Sequence, residues 1–186
     1  MNVLEAIRSR RSIKRFTAQP VAREQIETLL DAATLAPNHR LTQPWRFYVL
    51  GPAARHAYGM ALGERKARKQ PDPESGRALR DTVAREHAEL PCMIAVAIVQ
   101  TDDPEIAKED FAAAMMAVQT LSLAALELEL GTHIKTGGVM DDAAARTAAG
   151  IAENERIVAI LNLGTPADIP PAKKRSSARD LTTWRE

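Results

Sequence analysis

The sequence predicts a mixed α/β or α+β sandwich, and two observations carry that prediction. Three apolar stretches have the character of strands: QPWRFYVL (43–50), CMIAVAIV (92–99) and ERIVAILNLG (155–164). The segments between them show apolar residues every three or four positions, which is the spacing of a helix face. Strands that alternate with helices favour a sheet covered by helices. No repeat or linker divides the chain, so we expect one domain over residues 1–186.

The first half of the chain is expected to contain two helices before its first strand. Asn2 and Glu5 are spaced as a capping box, which favours a helix start. A second helix is predicted over about 22–36 from its apolar spacing, and Pro37 ends it. Pro44 is tolerated at the first position of the strand that follows.

The second half alternates between helices and two apolar strands. Residues 53–90 are predicted to be helical, with an interruption at the polar, proline-rich stretch KQPDPESG (69–76). The strand at 92–99 is apolar throughout, which is typical of a strand covered on both faces. Pro104 favours the start of a long helix that runs to about Leu130. A loop (131–140), a short helix (141–150) and the last strand follow, before a proline-rich basic tail.

Composition excludes several classes of protein. Lys and Arg number 25 against 24 Asp and Glu, whereas nucleic-acid binders usually carry a basic excess. The single cysteine, Cys92, excludes an intrachain disulfide and favours a cytoplasmic location. The most apolar stretch (111–130) contains Glu127 and Glu129, so we expect a buried helix there and no membrane span. The start of the sequence lacks the apolar core of a secretory signal. The four histidines are scattered, so no metal site is expected.

Two basic clusters stand out in a chain that is otherwise nearly neutral. RRSIKRF (10–16) holds four cations and one hydroxyl, and guanidinium groups with a hydroxyl are suited to bind a phosphate. By composition alone, a solvated charged turn is the stronger alternative. In the second cluster, PAKKRS (171–176), Lys173 and Arg175 would face the same way if the tail is extended.

Two polar loops are further candidates. APNHRLTQPWRF (36–47) places hydrogen-bonding side chains between a helix and a strand, and functional residues favour such loops. His39 could equally be an ordinary surface histidine. HIKTGG (133–138) has paired glycines that allow close approach of a ligand. Neither a P-loop nor a Rossmann glycine pattern is present.

Taken in this order, the stretches resemble the nitroreductase family of FMN-dependent oxidoreductases. RRSIKRF is similar to its Arg-Arg-Ser-x-Arg/Lys-x-Phe motif, APNHRLTQPWRFYVL to its Ala-Pro-Ser/Asn…Gln-Pro-Trp-x-Phe motif, and LNLGTPADIPPAKKR to its Leu-Gly-x-Pro…Lys-x-Arg ending. The resemblance spans practically the whole chain and is closest to the compact bacterial, YdjA-like branch. It implies a nitroreductase-like α+β sandwich with a central mixed sheet flanked by helices, in an intertwined homodimer.

The resemblance also implies a cofactor site with contributions from both ends of the chain. Lys14 would stabilise the reduced flavin, which is negative around N1 and the C2 carbonyl. Arg10 and Ser12 would contact the phosphate and ribityl side of FMN, joined by Lys173 and Arg175. Arg11 would also belong to the cofactor site. The segment that lies along the flavin and offers a donor towards N5 would be Ile134, Lys135, Thr136 and Gly137.

A third segment would reach the flavin held mainly by the other subunit of the homodimer. By resemblance it comprises Leu35, Asn38 and His39, while the arm at about 165–186 would pack on the partner subunit. Leu41 stands where many family members carry an asparagine, so a direct side-chain bond to the flavin is lost there. His39 could compensate for that loss.

The implied reaction is a ping-pong oxidoreduction. NADH or NADPH would give a hydride to FMN, and a nitroaromatic, quinone or activated alkene would then be reduced. The flavin carries the chemistry, so no catalytic side chain is expected. Three alternatives stay open. The first is a non-catalytic flavin-binding module that acts as a sensor or store, and a more distant one is a nucleic-acid binder with basic arms at 8–15 and 173–179. The third is family-like chemistry on another substrate, such as dehalogenation or flavin fragmentation. Residues 53–90 are where we expect acceptor specificity to be set.

Overall fold

The computed structural model describes residues 1–185 and contains six helices and four strands. The helices are α1 (Val3–Ser9), α2 (Arg23–Thr34), α3 (Pro52–Ala67), α4 (Pro73–Ala88), α5 (Pro104–Glu127) and α6 (Ala143–Ala149). The strands are β1 (Trp45–Val49), β2 (Cys92–Val99), β3 (Gly131–Lys135) and β4 (Glu155–Gly164). Short 3-10 turns lie at His39–Leu41 and Arg179–Leu181.

The four strands form one sheet in the order β1-β2-β4-β3. Every pair of these strands is antiparallel. The α+β class is therefore confirmed, while the expected mixed character of the sheet is limited to one isolated parallel bridge between Ser12 and Thr132. The connections between neighbouring strands are long and helical, with α3 and α4 between β1 and β2 and α6 between β3 and β4, so no tight hairpin within residues 1–185 sets the antiparallel pairing.

Side chains of β2 supply both faces of the sheet, as its continuous apolar sequence predicts. Ile94, Val96 and Ile98 belong to a core with residues of α2 and α5. Met93 and Ala95 belong to a second core with residues of α3 and α6 on the opposite face. Helices therefore cover both faces of the sheet, and the sheet edges remain for other segments.

Helix boundaries follow the local signals of the sequence. Asn2 and Glu5 cap each other's backbone at the start of α1, and the side chain of Asp103 accepts from the first turn of α5. The second helix ends at Thr34, two residues before the predicted limit, because the position that precedes Pro37 disfavours helical geometry. None of the helices within residues 1–185 combines the length and hydropathy that a membrane crossing requires.

The prediction of a plain loop at 131–140 was wrong for its first half, which forms β3. This strand pairs with β4 from Gly131 opposite Gly164 to Lys135 opposite Ile160. Its five residues include one glycine and two charged or ionisable side chains, so neither an apolar run nor a clear alternation marks it. Pairing with β4, rather than its own composition, makes it a strand.

Candidate functional site

The N-terminal basic segment lies along the free edge of β3. The amide of Ile13 donates to the carbonyl of Thr132 over 2.9 Å, next to the Ser12–Thr132 bridge. The Ile13 side chain is 3% exposed and fills the space beside Gly131, where a Cβ would collide with it. A buried isoleucine therefore anchors the segment, while Ser12 and Lys14 on either side of it are exposed.

The C-terminal arm returns to the same place. Thr17 donates its amide to the carbonyl of Thr165 over 2.9 Å, and Ala167 donates to the carbonyl of Arg15 over 3.0 Å. The Arg15 guanidinium also pairs with Asp168 at 2.9 Å. These contacts lay the arm against residues 15–17, so the two basic clusters of the sequence meet.

Between the two clusters is a cavity of about 750 Å³. Seven cationic side chains and one carboxylate, Asp168, are among its lining residues. The cations are Arg8, Arg10, Arg11, Lys14, Arg15, Lys173 and Arg175, and the Ser12 hydroxyl is also present. The predicted phosphate-binding residues are therefore brought together in one cavity.

Most of the positive charge in this cavity lacks a counter-charge. Asp168 is already paired with Arg15, and no carboxylate of residues 1–185 lies within 4.0 Å of Arg10, Lys14 or Lys173. An arginine–serine cluster with an excess of cations fits a phosphate monoester, which carries about −1.5 to −2 charges at pH 7. The residues present thus fit the phosphate of a nucleotide such as FMN.

Arg11 differs from the other arginines of the cavity. Its Nη1 donates to the carbonyls of Arg8 (2.6 Å) and Arg10 (2.9 Å), so part of its guanidinium stabilises the turn after α1. Arg10 has no such bond among the side-chain hydrogen bonds of residues 1–185. Arg11 therefore shapes the segment, and Arg10 keeps its donors available.

Further along β3, Lys135 contacts a buried histidine that the sequence did not single out. The Lys135 ammonium lies 3.3 Å from Nε2 of His87, whose Nδ1 is 2.7 Å from the carbonyl of Val83. Burial, followed by the charge of Lys66, lowers the pKa of Lys135. Burial and the nearby Lys135 also lower the pKa of His87, so its imidazole is neutral at pH 7.

The segment after Lys135 is open. Thr136 and Gly137 are exposed, and Gly137 has a φ of 142°, which a residue with a side chain rarely adopts. Gly138 lies close to Arg65 of α3. A Cβ added to this glycine would be only 2.8 Å from the Arg65 Nη2. Ile134 differs from the rest, since it is partly buried and packs on the sheet core. Backbone groups of Thr136 and Gly137 are therefore accessible, whereas Ile134 has a packing role.

The loop over residues 38–43 does not line the cavity and is held on α5 of its own chain. His39 Nδ1 lies 2.8 Å from Glu109, and Arg40 donates to Glu109 and Glu105, each over 3.0 Å. Hydrogen bonds from His39 and then Arg40 lower the pKa of Glu109. The charged side chains of this loop thus have partners.

The backbone of the same loop is strained. Arg40, Leu41 and Gln43 have φ values of 65°, 50° and 44°, a region that residues other than glycine seldom occupy. Asn38 offsets part of this strain, because its Oδ1 accepts from the Gln43 amide over 2.6 Å. Leu35 and Leu41 are 83% and 77% exposed. The side chains of Asn38 and His39 therefore already have partners in their own chain, whereas Leu35 and Leu41 are exposed.

Comparisons with known proteins give a consistent assignment. The family model described as Nitroreductase family matches residues 7–165. The Bacillus subtilis protein named "Putative NAD(P)H nitroreductase YfhC" is 33% identical over 182 residues, which is 96% of this chain and 92% of the relative. A nitroreductase-like family protein from Bacillus cereus has the same fold, with a TM-score of 0.86 and 26% identity over 100% of this chain and 97% of its own.

A second solved structure, from Desulfovibrio desulfuricans, is described as "a putative nitroreductase in complex with fmn". It aligns with a TM-score of 0.73 and 27% identity, over 99% of this chain and 96% of its own. The alignment with the Bacillus cereus structure covers the whole chain, including the basic motif, the sheet and the C-terminal arm, whereas the family model ends at residue 165. The chain belongs to the nitroreductase family.

Proposed function

We propose that this protein is an FMN-dependent oxidoreductase that uses NADH or NADPH to reduce a small acceptor such as a nitroaromatic, a quinone or an activated alkene. The cavity in which unpaired cations from both ends of the chain converge is the observation that carries this proposal. The Desulfovibrio desulfuricans structure, described as an FMN complex, supports the choice of ligand. When bound, FMN supplies the ring that takes up a hydride and passes electrons on in a ping-pong sequence.

Different residues of the site are suited to different parts of FMN, the phosphate and the ring. Arg10, Ser12, Lys173 and Arg175 offer charged or hydroxyl donors for the phosphate, and such charge-assisted bonds are the strong ones. Lys14 lies beside β3, where burial, then Lys135 and then the charge of Lys14 lower the pKa of the His133 imidazole. We assign Lys14 and the accessible backbone of Thr136 and Gly137 to the ring, where a cation favours negative charge on the reduced flavin.

We further propose a homodimer in which Leu35, Asn38 and His39 reach the ring bound by the partner subunit. Large apolar side chains exposed on the single chain support this arrangement, because soluble monomers seldom expose many of them together. They lie on α1, on α5 and on the C-terminal arm: Val3, Leu4, Ile7, Phe111, Met116, Ile169, Leu181 and Trp184, which are 41% to 90% exposed. The last residue of the expected arm, Glu186, lies outside the described residues. A single domain and a cytoplasmic location stay predictions.

The proposal is tested with purified protein that has been incubated with FMN and desalted. We expect a yellow protein whose absorbance bleaches with NADH or NADPH under anaerobic conditions and returns when menadione or a nitroaromatic is added. Steady-state oxidation of the reduced nicotinamide should depend on the acceptor. Bound flavin that never turns over would favour the sensor or store, and a protein that stays colourless would contradict the proposal.

A further inference from the structure

His87 is held rigidly between α3 and α4. It is 6% exposed, and the two helices approach so closely that a Cβ on Gly59 would lie 2.9 Å from the His87 Cβ. The Tyr58 ring also packs nearby, with its centroid 6.3 Å from that of the imidazole. This close packing, together with contacts at both ring nitrogens, restricts the orientation of the imidazole.

The hydrogen bonds of His87 settle which nitrogen carries the proton. A carbonyl can only accept, so the 2.7 Å contact with Val83 requires that Nδ1 donates. In the neutral ring, Nε2 then has a free lone pair, and the Lys135 ammonium donates to it over 3.3 Å. The lysine is thereby fixed by a buried acceptor that carries no charge.

A neutral partner leaves the charge of Lys135 uncancelled. No carboxylate within residues 1–185 lies within 4.0 Å of its ammonium. Burial and then the charge of Lys66 on α3 lower the pKa of Lys135, while the more distant carboxylate of Glu86 on α4 raises it. Burial and then the charge of Lys135 lower the pKa of His133 on β3. Burying a cation without a counter-charge costs free energy. A partly buried lysine that is held in place without a carboxylate partner therefore indicates that a ligand supplies the negative charge.

That ligand charge is not the phosphate of the cavity. Lys135 is absent from the cavity lining and comes three residues after Thr132, the level at which Ser12 contacts β3. Since a strand rises about 3.3 Å per residue, Lys135 is roughly 10 Å further along the edge. Its charge is therefore available to a different part of a nucleotide that lies along β3.

We propose that His87 is a positioning residue that presents Lys135, without neutralising it, to the negative charge which the flavin ring gains on reduction. This inference rests on the proposed function. It adds a buried histidine of α4 to the groups that set how strongly the protein prefers reduced over oxidised FMN. A carboxylate in place of His87 would hold the lysine equally well but would cancel its charge.

The test compares the affinities of the protein for reduced and oxidised FMN, obtained from the midpoint potential of bound against free flavin. We expect Lys135→Met to lower the ratio of reduced to oxidised affinity roughly tenfold, since charge pairs near a surface are worth this much or more. For a two-electron couple, tenfold corresponds to about 30 mV. His87→Leu should lower the ratio severalfold, and His87→Gln, which keeps an acceptor, should restore most of it.

The controls separate positioning from general damage. Lys69→Met, an exposed lysine after α3, should leave the ratio unchanged, and His87→Leu should have no further effect in a protein that already carries Lys135→Met. An equal effect of His87→Leu in both backgrounds, or none in either, would overturn the inference. A wild-type protein that binds no FMN would overturn the proposed function instead.

A second measurement uses only the wild-type protein, without FMN and without any substitution. Nitrogen-15 shifts of the His87 ring in the wild-type protein should report the tautomer with its proton on Nδ1. If the proton is found on Nε2, that nitrogen cannot accept from Lys135, and the inference is wrong.

Discussion

The cationic cavity and the loop over residues 38–43 carry similar side chains, but their charges are balanced in different ways. His39 and Arg40 of the loop are paired with Glu109 of the same chain. Arg10 and Lys173 of the cavity have no carboxylate partner among residues 1–185. Both regions look basic in the sequence, so the position of the counter-charges, rather than the number of cations, distinguishes a ligand site from a structural contact.

This difference assigns separate roles to the two regions. In the cavity, the ligand has to supply negative charge, and binding should depend strongly on each cation. In the loop, the charges already hold a strained backbone on α5, so the loop can contribute shape and main-chain groups to a site in a second copy. Substitutions that change the charges or contacts of one region should therefore affect FMN binding and loop stability to different extents.

The largest effect is expected from removing one cation at each end of the chain. Arg10→Ala and Lys173→Ala should each weaken FMN binding roughly tenfold to a hundredfold, because charge-assisted hydrogen bonds are lost. The double variant should be weaker still and should no longer prefer FMN over riboflavin, which lacks the phosphate. Fluorescence titration of the flavin measures both affinities.

Lys174 provides a matched control, since it neighbours Lys173 in the arm but is absent from the cavity lining. Lys174→Ala should bind FMN almost as tightly as the wild type. Unchanged FMN affinity in both Arg10→Ala and Lys173→Ala would remove the phosphate assignment, and with it the contrast between the two regions.

An intermediate effect is expected when the proposed dimer is disrupted. Leu4 is 60% exposed, and α1 has no buried residue in the single chain. Leu4→Asp should shift the protein from dimer to monomer and weaken FMN binding roughly tenfold, because the loop of the second copy is lost. An aspartate in the first turn suits the helix dipole, so α1 itself should stay folded.

Size-exclusion chromatography with light scattering, together with the flavin titration, measures this prediction. Ala78→Asp places the same charge on the exposed surface of α4 and should leave the protein dimeric. A Leu4→Asp variant that is monomeric yet binds FMN normally would show that the loop has no part in the site.

The smallest effect is expected from Glu109→Gln, which removes the partner of His39 and Arg40. Amide exchange in residues 38–43 should become severalfold faster, with a modest loss of FMN affinity. The pKa of Glu109 lies below its ordinary value of 4.5, so its contribution is present above that pH and is lost as the pH falls through the lowered value. Wild type and variant should therefore differ at pH 6.5 and converge in acid.

Hydrogen exchange, followed by NMR or mass spectrometry, measures the exchange rates of wild type and Glu109→Gln at pH 6.5 and in acid. Glu105→Gln removes only the outer contact of Arg40 and should speed exchange less. Equal exchange in the wild type and Glu109→Gln at pH 6.5 would mean that the backbone of the loop, and not its ion pairs, holds it on α5.

Apolar patterning predicted the strands of the core, whereas β3 depends on its neighbours. The last predicted strand matches β4 at both ends, Glu155 and Gly164, because its residues are buried on both faces. β3 has little pattern of its own and is set by pairing with β4 and by the anchor of Ile13.

The site was predictable only in part. Resemblance to the family motifs indicated that the two basic clusters meet, which the residues alone could not. The contact of His87 with Lys135 joins positions 48 residues apart and leaves no trace in spacing or composition. Likewise, no pattern of residues separates Arg11, which binds its own backbone, from Arg10.

Because the cavity draws on residues as far apart in sequence as Arg10 and Lys173, it cannot form until Lys173 has been synthesised. All four strands are synthesised before Lys173, since β4 ends at Gly164, so the nucleotide site is completed only after the sheet has its strands. Bound FMN would link the N-terminal basic segment to the C-terminal arm. The stability of the folded protein would therefore increase with the concentration of FMN. A protease that trims the arm should therefore release FMN before it disturbs the sheet.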